Sequence, residues 1–399
     1  MKVLVTGSNG FVGKNLITAL EQIQNGNDKT RPNLHIDKIY KFDVDTPLSS
    51  LNDFCRDCDF VFNLVGVNRP KTEQEFVDGN FNFLVNFLKI LTKYDNHAPI
   101  MLSSSIQASL VGRYANSTYG KSKYAAEQLV FEYGRTRNID TYVYRFPNIF
   151  GKWSKPNYNS VIATFCYNYA NDLPIQVNNK NVLLELLYID DLVSSMLDLL
   201  EGKYHKCHYN DLKVVDDENG PYCYVKNTHK VTLQEIVDDL DLIKKQPKTL
   251  IVPEIKEDSF IKKLYSTYLS YLPKEKVVID LDTKKDNRGS FTELLKTQSA
   301  GQFSINVTKP GQTKGNHFHN SKWEFFIVIK GKALIKQRNI NTGETYEFTV
   351  TDNKLQAVHM LPGYTHSITN LDSGRELITL MWANENFDQN HPDTYYKEV

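Results

Sequence analysis

The chain has 399 residues, 41% of them hydrophobic and 24% charged, which is long enough for about two to three packed domains. Its 47 Lys and Arg balance its 47 Asp and Glu, so no net field draws it to nucleic acid or anionic lipid. No run of about 18 apolar residues occurs, and the first residues enter a strand-like run directly, so a cytoplasmic protein without membrane association is expected.

The first element is the β-branched run MKVLVT, followed by GSNGFVGKN and then by Phe11, Val12, Leu16, Leu20 and Ile23 at helical intervals. In a strand–turn–helix of this kind Gly7 permits a tight turn, Gly10 lets a diphosphate approach the backbone, and Gly13 lets the helix pack on its strand. The helix N-terminus, with Asn9, Phe11 and Val12 around it, then offers N–H groups to phosphates. The alternative is a plain glycine turn.

Strand-like runs DKIYKFD, DFVFNLVG, APIMLSSS and TYVYRF alternate with helical patterns that include Phe81 to Tyr94 and Tyr119 to Arg137. Alternation of this kind predicts a doubly wound, Rossmann-type α/β domain with a parallel sheet. The chain has five cysteines; Cys55 and Cys58 form CRDC without a second CxxC, which favours small packing residues over a zinc or redox site.

Reduction of a carbonyl needs a group that handles the hydroxyl proton. A tyrosine with an ordinary pKa near ~10 needs a cation beside it to act as a base. Tyr119 and Lys123 in TYGKSK lie at i and i+4, on one helix face. Tyr209 with Lys213 and Tyr222 with Lys226 repeat the spacing, but in an irregular tract. Ser105, with Ser104 as the alternate, ends the strand MLSSS and is suited to hydrogen-bond a substrate oxygen; such serines also cap turns.

TGSNGFVG, LSSSIQ, YGKSK and RFPNIFG together resemble the extended short-chain dehydrogenase/reductases. The resemblance implies Ser–Tyr–Lys chemistry on a sugar nucleotide with NADPH or NADH, an adenosine site near Leu64 to Gly66, and a nicotinamide and sugar site bordered by Arg145 to Asn148. Asp43, at the end of the second strand, is the candidate acid for the ribose 2′-hydroxyl. It lies more than ~20 residues from the glycines, beyond the usual spacing, and an ordinary loop acid is the alternative.

The polar tract 203–227 predicts loop or short strands. Helices are expected from about Thr232 to Lys244 and over FIKKLYSTYLSYL, with domains at 1–245 and 276–399 and a helical linker at 246–275. Beyond Pro273, short strand-like runs such as EFFIVIKGKALIKQR and ELITLMWANE alternate with turns, which predicts an all-β sandwich or barrel of ~120 residues.

In GNHFHNSKWE, His317 and His319 are two apart, as on one face of a strand, with Glu324 a further strand position away, and His366 in PGYTH comes from a different strand. Three imidazoles and a carboxylate suit Zn2+ or another divalent first-row metal; His359 falls outside the pattern. The spacing from Gly311 to Gly331 and PGYTHSITN resemble the two motifs of the cupins, jelly-roll barrels, although Pro362 directly precedes Gly363. DNRGSFTELLKT resembles the substrate-binding opening of deoxysugar 3,5-epimerases, in which Arg288 would contact the diphosphate; a turn arginine in a salt bridge is the alternative.

GVNRP, FGKW, KPNYNSVIATFCY, LYSTYLSYLP, KGNHFH and MWANE extend the similarity over the whole chain to capsular polysaccharide synthesis enzymes that join such a reductase to an epimerase-like cupin. What this implies is C3 epimerisation in the cupin and then C4 reduction of a UDP-2-acetamido-2,6-dideoxy-4-hexulose to the L-talose sugar, on the way to UDP-N-acetyl-L-fucosamine. A homodimer is expected by analogy. Two alternatives are a reductase whose cupin is only a metal-stabilised dimerisation module, and a nucleotide-sensing protein without turnover.

Overall fold

A computed structural model of the chain describes residues 1–67, 72–299, 301–390 and 392–399. In GVNRP, Asn68, Arg69 and Pro70 lie outside the described residues. The chain divides into two compact units, Met1–Val237 with Lys263–Leu272, and Asp238–Lys262 with Pro273–Val399. This differs from the expected boundaries at 245 and 276 with a linker between. The helix Phe260–Leu269 carries Lys263, whose buried ammonium pairs with Asp191 at 2.8 Å and lies 3.2 Å from His229 Nε2, so that part of the presumed linker packs on the first unit.

In the first unit, Lys38–Phe42, Lys2–Thr6, Phe60–Asn63, Ile100–Ser105 and Thr141–Phe146 lie side by side in that order, all parallel. Val3, Leu4 and Val5 are fully buried because helices cover both faces. Phe11–Gln24 and Ile189–Leu200 pack on one; Leu48–Asp57, Phe83–Lys93 and Thr118–Arg137 pack on the other. From Lys2–Thr6 the chain goes to one side for Lys38–Phe42 and then crosses to the other for Phe60–Asn63. At such a reversal a crevice opens outside the carboxyl ends of the strands, where ligands bind; here it holds the glycine loop.

The polar tract 203–227 extends this sheet with short strands. Tyr222–Tyr224 runs parallel to Thr141–Phe146, and His205–Asn210 and Lys213–Asp216 follow antiparallel. Buried Cys207 and Cys223 hold them against the core. Cys55 and Cys58 are also buried and free, and burial pushes the Cys58 thiol up to about 12, so CRDC serves packing.

The second unit is all-β except for its helical approach. One sheet runs Ile251–Val252, Gly289–Thr297, Gln302–Thr308, Leu377–Ala383, Glu324–Lys330 and Ala357–Met360, with Thr283–Asp286 also paired to Gly289–Thr297. The other runs Thr345–Thr351, Lys332–Asn339, Tyr364–Asn370, Thr313–Phe318 and Tyr395–Tyr396. Alternate side chains face inward, so Phe326, Val328 and Leu377 from the first meet Ala333, Ile335 and Ile368 from the second.

Candidate functional site

Ser117 caps the helix Thr118–Arg137 by accepting from the Gly120 N–H at 2.9 Å, which sets Tyr119 in the first turn. Ser105 caps the short helix Ile106–Ser109, its Oγ accepting from the Gln107 N–H at 3.2 Å. The two segments can abut because Gly120 has no side chain: a Cβ there would stand 2.3 Å from the Gln107 carbonyl oxygen. One turn on, buried Lys123 donates to the Ser103 carbonyl at 3.0 Å, with Nζ 6.0 Å from the centre of the Tyr119 ring.

Burial pushes the Tyr119 phenol up to about 12, against a smaller opposite pull from Ser105. Burial also pushes the Lys123 ammonium down to about 8, against the charge of Glu127. The phenol therefore holds its proton at neutral pH, as a proton donor to a carbonyl must.

Ser105, Tyr119 and Lys123 line one cavity of about 660 Å³ with Gly7, Asn9, Gly10, Phe11, Val12, Gly13, Leu64, Gly66 and Asn148. Gly7 has φ +71°, and a Cβ at Gly13 would lie 2.2 Å from the Gly7 carbonyl oxygen, so turn and helix close only with glycine at both positions. Gly10 caps the helix Phe11–Gln24 without a side chain, and the first turn carries no acid, which leaves its N–H groups for an anion. This cradle, with a buried ammonium in the same cavity, fits a dinucleotide. Asp43 stands behind it: Oδ2 accepts the Asn9 N–H at 2.7 Å, and Asn9 Nδ2 in turn reaches both oxygens of Asp45 at 3.1 Å.

Arg145 does not join this cavity. Its guanidinium is taken up by fully buried Glu127, with Nη2 to Oε2 at 2.6 Å and Nε to Oε1 at 2.9 Å, and by the Tyr222 hydroxyl at 2.7 Å. Ser104 also donates to Glu127, whereas the Ser105 hydroxyl bonds to the Tyr119 phenol, which makes Ser105 the member of the pair at the reacting group. The sequence reading missed Glu127, although an acid four residues beyond Lys123 is visible in YGKSKYAAE. It missed Asn80 too, which sits in the π-helical turn Asp78–Asn82 and ties the Val67 N–H (2.8 Å) to the Ser122 hydroxyl (3.0 Å). Trp153, Lys155 and Asn159 also line the cavity from an aperiodic stretch that gives no pattern to read.

In the second unit the strand Thr313–Phe318 breaks register against Tyr364–Asn370 between Gly315 and His317, with Gly315 at φ +99° and Asn316 at φ +59°. Such a bulge re-aims the side chains that follow it. His317, His319, Glu324 and His366 each present one donor atom, all within 4.8 Å of one another. Nε2 of His319 and both ring nitrogens of His366 are buried without a hydrogen-bond partner among the described residues. Buried imidazole nitrogens left bare beside a carboxylate fit a divalent metal.

Burial pushes His366 down to about 3, which keeps it neutral as a ligand must be. Burial pushes Glu324 up, but His319, Lys322 and His366 outweigh it and hold the carboxyl at about 2. The cluster faces a cavity of about 330 Å³ that Lys314, Lys322, Phe291 and Trp382 also line. Lys314 Nζ is held by the Asn306 side chain at 2.6 Å and by the Ser290 and Val307 carbonyls, each at 3.1 Å. Arg288 is absent from this lining. It is half exposed in the turn before Gly289–Thr297, bonded to Asp286 through Nη2 at 2.7 Å and Nε at 3.1 Å, which is the salt-bridge alternative. His359 packs against Trp323 and Phe325, away from the cluster.

Residues 3–211 match the NAD dependent epimerase/dehydratase family, and residues 284–395 match the polysaccharide biosynthesis C-terminal domain. Over 395 residues, 99% of this chain and 98% of the relative, the chain is 38% identical to a UDP-2-acetamido-2,6-beta-L-arabino-hexul-4-ose reductase from Pseudomonas aeruginosa. The crystal structure of the capsular polysaccharide assembling protein CapF from Staphylococcus aureus is 43% identical, with a TM-score of 0.86 over all of both chains. The enzyme WbmF of Bordetella bronchiseptica, in complex with NAD+ and UDP, covers 67% of this chain and 91% of its own at TM-score 0.51 and 14% identity, a likeness of fold alone.

Proposed function

The chain belongs to the NAD dependent epimerase/dehydratase family, and on that premise we propose that it is a bifunctional sugar-nucleotide enzyme of capsule or surface polysaccharide synthesis. Its substrate in this reading is a UDP-2-acetamido-2,6-dideoxy-4-hexulose, epimerised at C3 in the second unit and reduced at C4 in the first. The observation that carries it is the meeting of Ser105, Tyr119 and Lys123 in the cavity opened by the glycine loop.

The Gly7 to Gly13 loop, with Leu64 and Gly66, would hold a reduced nicotinamide cofactor, which when bound would supply hydride to a carbonyl carbon. Ser105 hydrogen-bonds the carbonyl oxygen and steadies the charge that develops there. Tyr119 gives that oxygen its proton, and the positive charge of Lys123 supports the phenolate left behind. Asn148 borders the sugar site from the same cavity.

For epimerisation, a base in the second cavity takes the proton from C3, adjacent to the 4-keto group, and a proton returns on the opposite face of the enolate. A divalent metal such as Zn2+ would be held by His317, His319, Glu324 and His366. Four protein donors match the ligand number of structural sites, so a metal bound there would brace the β unit. The same four-residue donor set favours a second reading, in which this unit is a non-catalytic, metal-stabilised module and the chain only reduces.

The test is incubation of the protein with the UDP-4-keto sugar in heavy water with NADH or NADPH, followed by proton NMR. Deuterium at C3 together with reduction at C4 supports the bifunctional reading. Reduction without deuterium leaves the second reading, and neither change refutes both.

A further inference from the structure

The metal cluster of the second unit is braced from a distant part of the chain. His319 Nδ1 lies 2.6 Å from the backbone carbonyl oxygen of Asp393, 74 residues later. A carbonyl only accepts, so Nδ1 must carry the proton, and the bare lone pair of the ring then falls on Nε2, the buried nitrogen that has no partner. The Asp393 side chain closes the loop between His319 and Glu324: Oδ1 accepts the Asn320 N–H at 3.0 Å, and Oδ2 accepts the N–H groups of Ser321 and Lys322, each at 2.9 Å. Asp393 itself is held at φ +25°, a region in which non-glycine residues persist only when their surroundings over-determine them.

Those surroundings are a strap across the ligand strand. Tyr395–Tyr396 pairs antiparallel with Phe318 and His317, the Tyr395 ring stacks on Phe318 at 5.3 Å, and the Lys397 N–H reaches the Asn316 carbonyl at 2.9 Å. The His319 carbonyl in turn accepts the Gly363 N–H at 2.7 Å, in the turn that leads to His366. One residue thus touches the ligand ring and the loop that spaces the next ligand.

We propose that Asp393 is a positioning residue for the metal, fixing the His319 tautomer through its carbonyl and the spacing of His319 and Glu324 through its carboxylate. The proposal rests on the reading of the four-residue cluster as a metal site. Outer partners of this kind typically carry about 10- to 100-fold in metal affinity.

The experiment uses the full chain, stripped of metal, with Zn2+ titrated against a chromophoric chelator. Asp393→Ala is expected to weaken Zn2+ about 10- to 100-fold, and Asp393→Asn, which keeps the shape and loses the charge, to fall between. Because Asp393→Ala risks unfolding, the readout on Asp393→Asn is paired with the 15N shifts of the His319 ring. Both variants keep the Asp393 backbone carbonyl. The unaltered apo chain should therefore show the Nδ1–H tautomer, and the variant a mixture only because loss of the carboxylate's hold on Asn320, Ser321 and Lys322 lets that carbonyl drift from Nδ1. Unchanged Zn2+ affinity and an unchanged tautomer in a folded variant would overturn the proposal, even if the variant melts earlier. Failure of the unaltered chain to bind Zn2+ would instead overturn the metal reading itself, and the proposal with it.

Discussion

Glu127 and Arg145 form a buried ion pair in the first unit, their side chains 0% and 7% exposed and joined at 2.6 Å. Removing one partner of such a pair strands the other charge out of water, which typically costs about 3–5 kcal/mol. Glu127→Ala is therefore expected to lower the unfolding free energy of this unit by about that amount, measured as a fall in the urea midpoint. Arg145→Lys should likewise lose stability while leaving KM for the sugar nucleotide nearly unchanged. A large rise in KM with an unchanged midpoint would return Arg145 to the substrate.

Tyr119→Phe should bind reduced cofactor as before and lose about 10²- to 10⁴-fold in turnover, the usual share of a general acid. Lys123 sets the pH limb. With its ammonium pushed down to about 8, the supporting charge disappears as pH rises through that value, so turnover should fall on the alkaline side. Stability moves the other way: the unfolded chain holds this proton up to its ordinary value near ~10.4, so between the two values the unfolded state binds more protons and folding gains with rising pH. A pH series of turnover and of urea midpoints checks both, and Lys123→Met should erase the opposing trends together.

Much of this geometry was legible because it is local. The glycine loop follows from one strand–turn–helix, and Tyr119 with Lys123 from one turn of one helix. The pairs Tyr209–Lys213 and Tyr222–Lys226 share the spacing, but both tyrosines lie on strands, where they stack on Arg145 instead. What stayed hidden was partner choice across the fold. A lone arginine does not reveal whether it meets a diphosphate or an acid such as Glu127 or Asp286, and nothing near His319 announces a carbonyl 74 residues on.

Asp43 shows the same limit from the other side. Its spacing from the glycines argued against a cofactor role, yet after the long connection between the helix Phe11–Gln24 and the strand Lys38–Phe42 that strand still pairs parallel with Lys2–Thr6, Phe42 beside Thr6. The carboxylate still arrives 2.7 Å from the Asn9 N–H. An acid there accepts a ribose 2′-hydroxyl and repels a 2′-phosphate, and Asp45 beside it adds like charge. NADH is therefore expected to be preferred, with Asp43→Asn shifting the ratio of kcat/KM values toward NADPH. A wild-type preference for NADPH would remove Asp43 from cofactor selection.

Metal removal provides the last expectation. His317, His319, Glu324 and His366 come from three strands and the loop between two of them, so an ion held by all four adds a further link between segments of both sheets. A ligand bound to the folded state alone stabilises it by about 4 kcal/mol when present at about 1,000 times its Kd. Chelation should therefore lower the melting transition of the second unit, and added Zn2+ should restore it. His317→Ala takes away one donor and leaves three buried groups unshielded. Its melting should start lower and respond little to either chelator or Zn2+, whereas His359→Ala, outside the cluster, should keep the full response. Equal metal responses in the two variants would mean that the ion binds elsewhere.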